Sequence, residues 1–161
     1  IGNILHSPLT NIRNDELGGS LEKRVRMPVM VIERIREVLG RTFPLLYRLG
    51  AWDLISGGLT IQDGMKAADI IARKGVDIVD VSAGFFGRDP PVFQGPGYFV
   101  PQAAAVRREI ETPVIGVGGI KTAEEADAVI RSCKVDLIAI GTTIFQNPKW
   151  ASKAVKKLKK G

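Results

Sequence analysis

Short apolar runs alternate with longer segments of helical periodicity along most of this chain. The runs cover residues 45–49, 76–81, 113–117 and 135–140; they are rich in Leu, Val and Ile and bounded by Gly, Pro or Asp. Such runs predict short buried strands of a parallel sheet. Helical segments fill the intervals. Ser20 is placed to cap a helix that carries Leu21, Val25, Val29, Ile32 and Ile35 on one face, with Pro28 expected to kink it or mark a restart. Thr60 with Asp63 opens a helix from Ile61 to Lys74, which Gly75 ends. A third helix is expected over 100–110. Thr122-Ala123-Glu124-Glu125 reads as a capping box for a helix to Cys133. Asn147-Pro148 is expected to cap and start a last helix over 149–159.

The predicted order is one helix followed by four strand-helix units. The strand starts are roughly 20 to 40 residues apart, a spacing that fits parallel crossovers. Two α/β architectures share that order. One is a doubly wound open sheet. The other is half of a (β/α)8 barrel, because a whole barrel takes about 250 residues. Spacing alone leaves both open.

Composition narrows the function classes. The chain has 161 residues, 45% apolar and 25% charged, as globular domains do. No apolar run approaches the roughly 20 residues of a membrane helix, so no membrane partner is expected. The first residues lead into no signal-peptide pattern. One cysteine, Cys133, allows no internal disulfide, offers no cluster or metal motif, and suits a reducing cytoplasm. The net charge of +6 is largely the five lysines at 153, 156, 157, 159 and 160; without them it is about +1. That tail reads as a solvated helix end whose cations suit the helix dipole. Aromatics are few and no nucleic-acid motif accompanies the lysines, so no nucleic-acid partner is expected.

Candidate chemistry lies in glycines after the last two strands. Gly116-Val117-Gly118-Gly119-Ile120 follows the third run and Gly141-Thr142-Thr143 the fourth. Glycines there let backbone N–H groups approach a phosphate closely. In barrels the phosphate site is often built from the loops after strands seven and eight. Tight turns without a ligand would use the same residues. The first loop is not GxGxxG and comes late in the chain, so a dinucleotide fingerprint fits poorly.

An ordered set of blocks resembles the old yellow enzyme family of flavin oxidoreductases. Residues 13–26, from Arg13-Asn14-Asp15-Glu16-Leu17-Gly18-Gly19-Ser20 to Arg26, are similar to its R-x-D-E-Y-G-G-S-x-E-N-R-x-R signature, with Leu17 where the family usually has Tyr. Gly57-Gly58-Leu59-Thr60, Gly75-Val76-Asp77, Val81-Ser82-Ala83-Gly84, Gly97-Tyr98-Phe99-Val100-Pro101, the run 113–120, Val135-Asp136-Leu137 and Asn147-Pro148-Lys149-Trp150 follow in the family's order. The match spans nearly the whole chain.

The resemblance implies one unit over 1–161: the second half of a flavin-binding TIM (β/α)8 barrel, strands five to eight. It implies FMN as cofactor, NADH or NADPH as reductant, and a small-molecule acceptor such as an activated C=C bond. Arg48 matches the arginine that contacts the flavin pyrimidine, although a strand arginine paired with Asp53 or Asp80 is the plainer reading. Gly118, Gly119 and Gly141 match the backbone phosphate cradle. Thr142 stands where an arginine usually pairs with the phosphate, and Lys121 is a candidate replacement. The family's His-x-x-His or His-x-x-Asn pair and its Tyr would fall just before Ile1, so no catalytic residue is expected within 1–161. On that reading the chain alone is inactive, and it associates with itself or with the missing barrel half to cover its edges. The remaining alternatives are another FMN- or phosphate-binding barrel enzyme and a half-barrel binding module without turnover.

Three further residues or segments carry expectations. Arg13, Asp15, Glu22, Arg24 and Arg26 are expected to form an ion-pair network around the Gly18-Gly19 bend. His6, the one histidine, is read as a loop residue. The segment 85–98 is read as a long loop, with Tyr98 lining a pocket or packing the loop.

Overall fold

The computed structural model describes residues 2–84 and 93–159. Its elements are α1 (Gly2–His6), α2 (Leu21–Leu39), β1 (Leu46–Gly50), α3 (Ile61–Arg73), β2 (Ile78–Ser82), α4 (Val100–Glu109), β3 (Val114–Val117), α5 (Ala123–Arg131), β4 (Leu137–Ala139), α6 (Thr142–Gln146) and α7 (Trp150–Leu158). All four expected strands are present within a residue or two of their predicted bounds. They form one parallel sheet in the order β1-β2-β3-β4. The order nowhere reverses among these strands, so they are not doubly wound. Right-handed crossovers between sequential neighbours put successive helices on the same face.

Burial along the strands shows that face. Tyr47 and Leu49 of β1, Val79 and Val81 of β2, and Val114 of β3 share a side by register, and all but the half-buried Tyr47 are fully buried. Against them pack Ala67, Ala68 and Ile71 of α3 and Ala103 and Val106 of α4. Small residues on both helices let them sit close to the strands, where burial contributes about 25 cal/mol per Å² of apolar surface. The opposite face is left open. It carries Leu46, Arg48, Ile78, Asp80, Ile115, Val117, Leu137 and Ala139, and Leu46 and Leu137 are 51% and 44% exposed. Among the described strands, β1 and β4 are the outer ones, each with one paired edge.

The predicted caps form. Ser20 accepts from the Lys23 N–H, and Thr60/Asp63 and Thr122/Glu125 each make a reciprocal capping box. Four expectations need correction. Of the kink or restart expected at Pro28, the restart does not occur: α2 runs on through Pro28, which is buried on its core side. The missing N–H there costs one helical bond, and packing of the apolar face outweighs it. A short helix, α6, stands directly after β4, where the sequence showed only Gly-Thr-Thr. Asn147 therefore ends α6 rather than capping α7, which begins after Lys149 with no side-chain cap. The expected ion-pair network is instead two separate pairs, Arg13–Asp15 and Arg26–Glu16. Arg24 is buried and donates to the carbonyls of His6 and Gly19, tying α1 and the glycine bend to α2.

The fourth correction is His6. It is not a loop residue but the last residue of α1, with no solvent exposure. Its Nε2 lies 3.2 Å from Tyr47 Oη, and the two rings stack with centroids 6.0 Å apart. Burial, then the neighbouring Arg24 charge, lowers its pKa to about 4, against a smaller opposing effect of Asp53. Burial likewise raises the Tyr47 pKa above its ordinary value. The hydroxyl therefore stays protonated beside a neutral imidazole, and the two share one hydrogen bond.

Candidate functional site

Arg48 of β1 and the C-terminal ends of β3 and β4 surround a cavity of about 670 Å³ on the open face. That is within the 300–1,000 Å³ usual for small-molecule sites. Parallel strands pointing the same way deliver all their following loops to one end. The sequence-predicted residues Arg48, Gly118, Gly119, Gly141 and Thr142 therefore converge there, with Lys121 and Tyr98.

Arg48 reaches the cavity from the open face of β1. Its Nη1 donates to Asp80 Oδ2 at 2.6 Å, across the register pair Arg48–Asp80. Asp53, the other partner considered, is buried elsewhere and accepts from the Leu59 N–H at 2.8 Å. Of the two partners, Arg48 thus pairs with Asp80, and the pair also faces the cleft.

The two glycine loops differ in what they tolerate. Gly118 and Gly119 have φ of +123° and +59°, in the region that disfavours side chains. A Cβ on Gly118 would lie 2.5 Å from the Tyr98 ring, and one on Gly119 would lie 2.8 Å from it. The Gly97 N–H donates to the Gly118 carbonyl at 2.5 Å, and the Phe99 N–H to that of Val117 at 3.2 Å. These glycines therefore admit a packed ring, a reason the sequence reading did not include. Gly141 is the opposite case: a Cβ there would meet nothing within 4 Å. Its surroundings are open toward the cavity, as a cradle for a ligand group requires.

Side chains that the sequence did not single out fix the loops. Thr143 Oγ1 donates to the Ile120 carbonyl at 2.9 Å, joining the loop after β4 to the loop after β3. Trp150 Nε1 donates to the Lys121 carbonyl at 2.7 Å, and the Lys121 N–H donates to Glu125 Oε2 at 2.7 Å. Thr143 sits beside a predicted site residue and Trp150 in a matched block, but neither pattern says what the side chain bonds. Tyr98 packs on Phe93 and Phe99 as well as lining the cavity, so both of its expected roles apply. Most of the long loop, 85–92, lies outside the described residues. His6 lies behind the sheet with Tyr47, on the helix-covered face, away from the cavity. Among the described residues no group of three His, Cys, Asp or Glu is placed to hold a metal, and no helix is long and apolar enough to cross a membrane.

The donor set suits a phosphorylated ligand: exposed backbone at Gly141, hydroxyls at Thr142 and Thr143, a lysine, and an arginine across the cavity.

Comparison with known proteins agrees. The model of the NADH:flavin oxidoreductase / NADH oxidase family, which carries FMN in its name, matches residues 3–161. An NADH oxidase of Thermoanaerobacter brockii is 34% identical over 152 residues, covering 92% of this chain and 23% of its own length. An NADPH dehydrogenase of Geobacillus sp. (strain WCH70) is 37% identical over 152 residues, covering 94% of this chain and 44% of its own. The structure of an old yellow enzyme homologue from Zymomonas mobilis superposes with a TM-score of 0.71 at 21% identity, over 98% of this chain and 43% of that one. The chain thus spans less than half the length of these relatives. It belongs to the NADH:flavin oxidoreductase / NADH oxidase family, whose members pair FMN with NADH or NADPH.

Proposed function

We propose that residues 1–161 form the phosphate-holding half, strands five to eight, of an FMN-dependent (β/α)8 oxidoreductase. The observation that carries this is the convergence of Arg48, the Gly118-Gly119 loop and the Gly141-Thr142 loop on one cavity at the strand C-termini. Support for the half barrel comes from the unreversed strand order and the one-sided helix layer, with an open face where a barrel interior would be.

In this reading Gly141, Thr142, Gly118 and Gly119 offer backbone and hydroxyl donors to the flavin's phosphate, and Lys121 adds charge. Arg48 lies toward the pyrimidine edge, where a cation favours the negative charge of the reduced ring. When bound, FMN supplies a carrier that accepts hydride from NADH or NADPH and passes it to an activated C=C bond or similar acceptor. We assign no catalytic proton donor among the described residues: His6 is buried and, like Tyr47, lies on the helix-covered face of the sheet. The open face and two outer strands favour association with further barrel strands or a second copy. The single cysteine suits the cytoplasmic setting of this reading.

The test is made on the full-length protein. Purified protein should show flavin absorbance, NADH or NADPH should bleach it without oxygen, and an enone should restore it. Flavin that bleaches but is not restored by enones would leave the oxidoreductase and remove the acceptor class. Protein that takes up no flavin would overturn the reading.

A further inference from the structure

Arg48 and Asp80 occupy paired register positions on neighbouring parallel strands, on the face that the helices leave open. Adjacent strands lie about 4.8 Å apart, so side chains leaving paired positions on one face meet. The pair is unequal. The Arg48 side chain is 55% exposed and reaches the cavity, whereas that of Asp80 is 17% exposed and stays on the sheet. Asp80 is therefore the fixed member. Its Oδ2 accepts from Arg48 Nη1, and its Oδ1 is buried with no hydrogen-bond partner among the described residues. Among the described residues, the hydrogen bonding of this carboxylate is thus given to Arg48 alone. On its other side the register partner is Ile115, an apolar neighbour that screens the pair poorly.

A carboxylate so placed does two things to a guanidinium. It holds one edge of the planar fork and leaves the other N–H donors turned to the cleft. It also opposes the positive potential that the guanidinium casts into the cleft. Resting on the reading that flavin binds here with its pyrimidine edge toward Arg48, we propose that Asp80 is a positioning residue that holds Arg48 and damps its charge, so setting the flavin's reduction potential. The direction follows from the sign of the charge. The reduced ring carries extra negative charge, so Arg48 favours it and Asp80 opposes it. The potential is therefore lower than Arg48 alone would make it.

The experiment is the midpoint potential of full-length, FMN-loaded protein, by reduction against a reference dye at fixed pH, in wild type, Asp80→Asn and Asp80→Glu. In Asp80→Asn, binding of reduced over oxidised flavin should rise about tenfold, a potential about 30 mV higher for a two-electron couple. Asp80→Glu, which keeps the charge, should stay near wild type. In an Arg48→Gln background the Asp80→Asn shift should shrink, because part of the effect passes through Arg48. Should Asp80→Asn fail to fold, Asp80→Ser serves the same comparison. Wild type that holds flavin beside an Asp80→Asn potential that is unmoved or lower overturns this inference alone. Wild type that takes up no flavin overturns the flavin reading and this inference with it.

Discussion

The ring of Tyr98 occupies the space into which a Gly118 side chain would grow: an added Cβ would stand 2.5 Å from its Cδ2. The loop before α4 and the loop after β3 are thus one packed unit, joined by the Gly97 N–H on the Gly118 carbonyl. Gly118→Ala should destabilise the full-length protein by about 2–5 kcal/mol, combining a strained φ of +123° with overpacking. Urea unfolding measures it. In a Tyr98→Ala background the Gly118→Ala loss should be smaller, because the clash is gone and only the strain remains. A Gly118→Ala midpoint equal to wild type would refute the packing argument.

Gly141 makes the contrasting case. Its φ is −98° and a Cβ would meet no atom within 4 Å. Gly141→Ala should change stability by less than about 1 kcal/mol, yet weaken FMN binding, since the methyl group occupies the cradle rather than the protein. Fluorescence titration of the apoprotein with FMN reads the second effect. Unchanged affinity would move the phosphate away from this loop.

These two glycines also show what a sequence reveals. The element order was legible because short apolar runs and capping residues such as Thr60 and Thr122 are local signals, and the structure places them as expected. The convergence of Arg48 with Gly118 and Gly141 was legible because parallel strands bring their following loops to one end. The different reasons for Gly118 and Gly141 were not, since a ring 20 residues away decides one of them. Helix α6 was missed because five residues carry too little periodicity. Burial of His6 was invisible because it depends on Tyr47, 41 residues on, and on Arg24 turning inward from α2.

Burial of His6 predicts acid sensitivity. Folded, its pKa is about 4; unfolded, it returns to 6.5. Between these values the unfolded chain binds more protons, so stability falls as pH drops through that window and is unaffected by His6 above it. The loss should reach about 2 kcal/mol by pH 5. In His6→Gln, which does not titrate, the difference in urea midpoint between pH 7 and pH 5 should shrink accordingly. An equal pH dependence in both proteins would show that His6 is not the sensitive group.

Lys121 and Thr142 supply the last prediction, on charge at the proposed phosphate site. The Lys121 backbone is pinned on both sides, by Glu125 Oε2 on its N–H and by Trp150 Nε1 on its carbonyl, so its side chain leaves a fixed point at the cavity. Thr142 offers a hydroxyl there and no charge. A hydrogen bond to a charged group is worth about 1.5–3 kcal/mol, so Lys121→Ala should weaken FMN binding at least about tenfold. It should also flatten the dependence of affinity on ionic strength, because one of the screened attractions is gone. Adding Thr142→Arg to Lys121→Ala should restore both the affinity and the salt dependence. Restoration of neither would place the phosphate out of reach of both positions. Full affinity in Lys121→Ala alone would mean that the backbone and hydroxyl donors hold the phosphate without a cation.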